Sequence, residues 1–311
     1  MQSMIIVIII VQSTMALGAV LQFRGCVSVS MRLVALLCLL ASCQARGQAE
    51  FELYRQAYEA QYVEADAVLV ELAKAERTVW FAARGESRVP PRFNPDDAAY
   101  FVKTVEPPVT ASLRASIRVL KDYNDALTAL ANGENAKAIS ARISKLTSEI
   151  ASAVATVGSV HAAPSQSAAV KVATSKLLDV LTQSTPLLDA GLQALGREAF
   201  RRQLLDSGQM MKDLIAALRT ETPGMFDLLK ESHRAYPESG VKRSSAREAV
   251  EKARVQLAVW VLLLDKSYLS LEAALDAANA PMSAGQGVDA LTNAAIEMRV
   301  LAEKVKSARA Q

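Results

Sequence analysis

The amino-acid sequence predicts an all-α fold, an elongated antiparallel bundle built from helical hairpins. Three observations carry that expectation. Apolar residues recur at spacings of three and four over long stretches, the period of one helix face. The breaks between these stretches hold residues that cap or stop helices. No extended run alternates apolar and polar residues between hairpin turns, as half-buried strands would.

Taken in chain order, Phe51, Tyr54, Tyr58 and Tyr62 open the first helix as an aromatic stripe. Core packing accounts for such a stripe, with the phenolic hydroxyls reaching the rim. A partner- or sugar-binding face accounts for it too, and makes Tyr54, Tyr58 and Tyr62 candidate partner-binding residues. Asn94-Pro95-Asp96-Asp97 sets a capping side chain, a first-turn proline and two acids at a helix start.

Leu113, Ile117, Leu120, Leu127 and Leu130 form one apolar stripe, and Ile139, Ile143, Leu146, Ile150, Val154 and Val157 form the next. Asn132-Gly133 between them suits a left-handed helix terminus, so the two stripes predict a tight antiparallel hairpin. Thr185-Pro186 and Thr222-Pro223 repeat the cap-then-proline form. Ser245 and Glu248 have capping-box spacing ahead of Val255–Leu264, "VQLAVWVLLL". That run is too short to cross a bilayer and reads as a central helix buried on every side. "GSVHAAPSQS", residues 158–167, is the expected boundary between an N-terminal helical half (51–157) and a C-terminal one (168–311). Ala126-Leu127 to Asn132-Gly133 has an echo in Ala274-Leu275 to Asn279-Ala280-Pro281, although alanine-rich helices produce such echoes by chance.

The first fifty residues differ in kind. "MRLVALLCLLASCQARGQ" begins at Met31 with a basic residue, runs through a short apolar stretch and ends on small residues. The apolar stretch cannot cross a hydrocarbon core about 30 Å thick, and its layout matches a secretory signal. Leu40-Ala41-Ser42-Cys43 resembles the lipobox of bacterial membrane lipoproteins. The resemblance covers about a dozen residues and leaves the helical body unassigned to a family. It implies cleavage between Ser42 and Cys43, a diacylglycerol on the Cys43 sulfur, and a body held to a membrane by that lipid. Gln44, where an aspartate would imply retention in the inner membrane, implies the periplasmic face of the outer membrane. Upstream, Met4 to Phe23 is apolar and long enough to span a bilayer. An over-extended start before Met31 is the favoured reading, and an inner-membrane anchor through Met4–Phe23 is the alternative. Residues 1–42 are then a leader and 43–50 a tether.

Charge and cysteine usage narrow the function classes. The 35 basic and 32 acidic side chains nearly balance. Arg24 and Arg32 fall in the leader, which leaves the body close to neutral. No concentrated basic face points to nucleic acid. Cys26, Cys38 and Cys43 are the three cysteines, so nothing beyond residue 43 can form a disulfide or a thiolate metal site. His161 and His233 are the only histidines. They cannot supply the paired Glu-x-x-His motifs of a di-iron bundle. No nucleophile elbow, haem-attachment motif or phosphate-cradling glycine loop occurs. The expectation is therefore no enzyme, no cofactor and no metal. Arg114, Arg118 and Lys121 form a basic stripe, read as a solvated face or a contact for anionic phosphates. The expected function is a lipid-anchored periplasmic interaction or scaffolding module with a membrane-associated protein partner. The alternative is a small-ligand binder with a pocket between its helices.

Overall fold

The computed structural model describes residues 48–83, 94–162, 178–180, 182, 197–235, 243–279 and 285–310. Helix accounts for nearly all of them, and none is in a strand. The elements are α1 (Gln48–Ala82), a 3-10 turn (Pro95–Asp97), α2 (Ala98–Phe101), α3 (Pro108–Ala131), α4 (Ala136–Ala162), α5 (Arg197–Thr220), α6 (Thr222–Ala235), α7 (Arg243–Asn279) and α8 (Gly285–Ala310). Residues 47–311 form one compact unit.

The α3–α4 hairpin follows directly from its sequence. Gly133 has φ 72°, the left-handed conformation that costs glycine least. Its N–H donates to Leu130 O at 3.2 Å, and Glu134 N–H donates to Ala129 O at 3.1 Å. This pair of bonds closes the helix as a Schellman motif. Asn135 then caps α4, its Oδ1 accepting from Ala138 N at 2.9 Å. The two stripes meet here: Leu113, Ile117, Leu120, Leu127, Leu130, Ile139, Ile143, Leu146, Ile150 and Val157 are all buried, and Val154 is half-buried.

The long helices α1 and α7, 35 and 37 residues, carry the architecture. At 1.5 Å per residue each extends about 50–55 Å. α1 packs against α3, α6, α7 and α8, and α7 against α1, α5, α6 and α8. Register between α1 and α3 is antiparallel and written in polar pairs. Tyr54 donates to Asn124, Glu59 meets Lys121 at 3.0 Å, Asp66 pairs with Arg114, and Glu76 accepts from Thr110. α5 and α7 are antiparallel as well, with Arg201 on Ala278 O, Lys212 on Glu272 and Arg219 on Asp265. Gly208 permits this approach: a Cβ there would lie 2.6 Å from Leu275 Cδ1.

Three expectations change. The expected linker at 158–167 begins inside α4, which continues to Ala162. Helices from before and after it share one hydrophobic core, with α1 in contact with α6, α7 and α8 and α3 in contact with α5. The Ser245 box does not start its helix, because α7 already begins at Arg243. Finally, "VQLAVWVLLL" is not buried on every side. Leu257, Trp260, Leu263 and Leu264 are core, whereas Val255 and Leu262 are 63% and 51% exposed. A ten-residue helical segment turns nearly three times, so in this one-sided position part of its apolar content must face out.

Candidate functional site

Leu40–Cys43, including the expected cleavage site at Ser42 and the lipidation site at Cys43, lie outside the described residues, as does Met4–Phe23. Among the described residues, no helix is long and apolar enough to cross a membrane. α1 already begins at Gln48, so helix starts two residues earlier than Glu50, where the expected tether ends.

The aromatic stripe is core. Tyr54 is fully buried and Tyr58 is 5% exposed, while Tyr62 is half-buried against the same cluster. Burial pushes the Tyr54 phenol well above its ordinary range and raises Tyr58 in the same way. The reading of Tyr54 and Tyr58 as a partner-binding face is corrected accordingly: α3 and α7 occupy that side of α1. The Tyr54 hydroxyl donates to Asn124 Oδ1. Seven residues further along, Gln61 Nε2 donates to Leu263 O at 2.9 Å and to Ser267 Oγ. A buried polar seam therefore joins α1 to both neighbours.

Two residues of the basic stripe, Arg114 and Lys121, are ion-paired, and Arg118 is exposed. Arg114 pairs with Asp66 and with Glu106 at 2.6 Å, and Lys121 bridges Glu59 and Asp125 at 3.0 and 3.2 Å. These carboxylates already supply the negative charge that an anionic phosphate would bring.

Glu76, a buried carboxylate of α1, is held by four hydrogen bonds. Proline at the first position of α3 lacks an N–H, and Pro107 before it offers no capping side chain. Glu76 caps the helix from α1 instead. Its Oε1 accepts from Val109 N at 3.0 Å and Tyr100 Oη at 3.2 Å, and its Oε2 accepts from Thr110 N and Thr110 Oγ1, both at 2.9 Å. Negative charge at a helix N-terminus is favourable. Trp80 stacks on Tyr100 with ring centroids 4.6 Å apart, and Phe81 and Phe101 pack edge-on. Arg77 Nη2 holds the carbonyls of Val102 and Val105. Nothing in the sequence marks Glu76 among the other acids of α1. The double proline without a capping neighbour was the available signal.

Burial raises the Glu76 pKa above its ordinary value near 4.5, with the four hydrogen bonds opposing the shift. The folded protein then binds this proton more tightly than the unfolded chain. The stability contributed by the proton is complete below the unfolded pKa and is lost as pH rises through the folded one. Glu76→Gln removes that titration. The unfolding free energy of the wild type minus that of Glu76→Gln is expected to fall as pH rises from about 4.5 through the raised pKa. Urea titrations across that range check it, and a flat or rising difference would contradict it.

Among the described residues, an open groove and an exposed apolar row stand out. A groove of about 560 Å³ between α1 and α8 is lined by Leu53, Ile296, Val300, Arg299, Glu303, Lys304 and Ser307. On α7, Val255, Leu262 and Leu269 stand in one row, each at least half exposed. Their spacing of seven keeps them on one side of the helix. Leu257, Trp260, Leu264 and Leu271 pack inward on the other side. The row was legible in principle, since its spacing is in the sequence, but it is hidden by the apolar residues between its members.

No group of three or more His, Cys, Asp or Glu suited to a metal ion occurs among the described residues. No family model, no curated protein and no solved structure matches this chain.

Proposed function

We propose that the protein is a lipid-anchored interaction module of the bacterial cell envelope, held to the membrane through Cys43 and docking a protein partner with the outer face of α7. The observation that carries the docking part is the α7 row. Three large apolar side chains at half exposure or more, in line on one helix, present what an interaction surface needs. The buried residues around it form one hydrophobic cluster, and the Tyr54 hydroxyl within it is committed to an internal hydrogen bond.

The anchor part rests on the lipobox-like residues together with the early start of α1. Four residues, Gln44 to Gly47, separate Cys43 from the first residue of α1. Fully extended they reach roughly 13–14 Å, which keeps the bundle at the membrane surface. Confinement to two dimensions raises the effective concentration of partners on the same membrane. Cys43→Ser is expected to move the protein from the membrane fraction to the soluble fraction, or to leave it unprocessed. A Cys43→Ser protein that is processed and stays in the membrane fraction would overturn the lipid anchor.

A second reading, a small-ligand binder, rests on the α1–α8 groove, whose apolar floor of Leu53, Ile296 and Val300 is rimmed by Arg299 and Lys304. A small molecule that co-purifies with the native protein and is lost from a Val300→Glu variant would support it.

A further inference from the structure

We infer that the bundle lies along the membrane on its α1–α8 side, with the groove there and the valines of α1 resting on anionic phospholipid. This rests on the lipid anchor proposed above and goes further by giving the groove an occupant and the bundle an orientation.

Exposed large apolar side chains are unevenly spread. Among the described residues they stand on α1, α7, α8 and the stretch Phe101–Val105, and none is on α3, α4, α5 or α6. On α1 they are Val63 and Val70, seven residues apart and therefore on one side of the helix. Val63 follows Tyr54 by about two and a half turns, so this side points away from the core that Tyr54 enters. On α8 they are Ile296 and Val300, about one turn apart and turned away from the buried Met298 between them. The two helices pack together, and the groove lies between them, with Leu53, Ile296 and Val300 as its apolar lining.

Two observations point to lipid on this side. The first is where the chain outside the described residues joins the bundle. Cys43 precedes α1 by four residues, which holds the start of α1 within roughly 13–14 Å of the acylated sulfur. Val70 lies about 33 Å further along α1, so only a bundle lying down brings the whole apolar set to the surface.

The second is charge. Arg299, Lys304 and Lys306 are exposed and make no ion pair among the described residues, and Glu303 is the only acid from 299 to 307. The acids of α1 near this side are already neutralised within the fold. Glu52 pairs with Arg55, Glu59 with Lys121, Asp66 with Arg114 and Glu71 with Lys74. The remaining charge is therefore positive and suits anionic headgroups. Interfacial helices hold a bilayer in this way, with aliphatic side chains at the acyl boundary and cations reaching back to phosphate. The apolar row of α7, the other long neighbour of α8, stays open to protein partners on the same membrane.

Single cysteines carrying a fluorophore test this in the mature protein purified from membranes. It is reconstituted in vesicles of phosphatidylethanolamine and phosphatidylglycerol, with a nitroxide quencher on the lipid headgroup. The lipid on Cys43 blocks that thiol, and the unsubstituted parent chain is the labelling background. Val70→Cys and Val300→Cys are expected to lose fluorescence when the quencher is included. Ser152→Cys should keep it, because Ser152 is exposed on α4, which packs against α3 and α5. In vesicles of phosphatidylcholine alone the loss at Val300→Cys should shrink, and an unchanged loss would overturn the preference for anionic lipid. Quenching of Val70→Cys and Val300→Cys no greater than that of Ser152→Cys, in a chain that still floats with the vesicles, would overturn the orientation and leave the anchor standing. Quenching at Leu262→Cys in their place would set α7 on the lipid and overturn it as well. A parent chain that does not float with the vesicles would overturn the anchor and the orientation together.

Discussion

Leu263→Asp is expected to destabilise the protein by about 4 kcal/mol or more, a large share of the 5–15 kcal/mol that holds a typical domain. Leu263 is 1% exposed in the core face of α7. Its backbone carbonyl already accepts from Gln61 and Ser267, and a carboxylate beside it would be buried without a cation. The adjacent residue gives the internal control. Leu262 is 51% exposed, so Leu262→Asp should change stability by no more than about 0.5 kcal/mol. Urea unfolding of both variants checks the pair. A change below about 0.5 kcal/mol for Leu263→Asp would mean that the two faces of α7 are assigned the wrong way round.

Tyr54→Ala should cost nearly as much, about 3–5 kcal/mol, because it empties a fully buried aromatic site between α1 and α3. It also removes the donor to Asn124, itself buried. Tyr54→Phe separates the two effects: the ring stays, Asn124 Oδ1 loses its partner, and the expected loss is about 1–3 kcal/mol. Thermal melts distinguish this from a partner-binding stripe, for which Tyr54→Ala would leave the melting temperature unchanged.

Periodicity and punctuation made the helices legible. The stripe from Ile139 to Val157 and the Asn132-Gly133 stop identify a hairpin because a helix face and a left-handed cap have strict local requirements. Which face of a helix meets which neighbour was less legible. Phe51 to Tyr62 carries the same spacing whether it faces α3 or a partner, and only packing of helices distant in sequence decides between them. Arg114 and Lys121 posed the same difficulty, since their carboxylate partners Asp66 and Glu59 lie on α1. In α7, apolar residues on both faces erase the contrast from which an amphipathic pattern is read. The boundary at 158–167 was read from glycine, proline and serine content, which marks a break in chain direction as readily as a break between cores.

Intact mass spectrometry of the mature protein, extracted from the membrane fraction, tests the central claim most directly. The account predicts a chain that begins at Cys43 and carries a covalent lipid on that residue. A membrane-bound chain beginning at Met1 or Met31, with an unmodified Cys43, would contradict it.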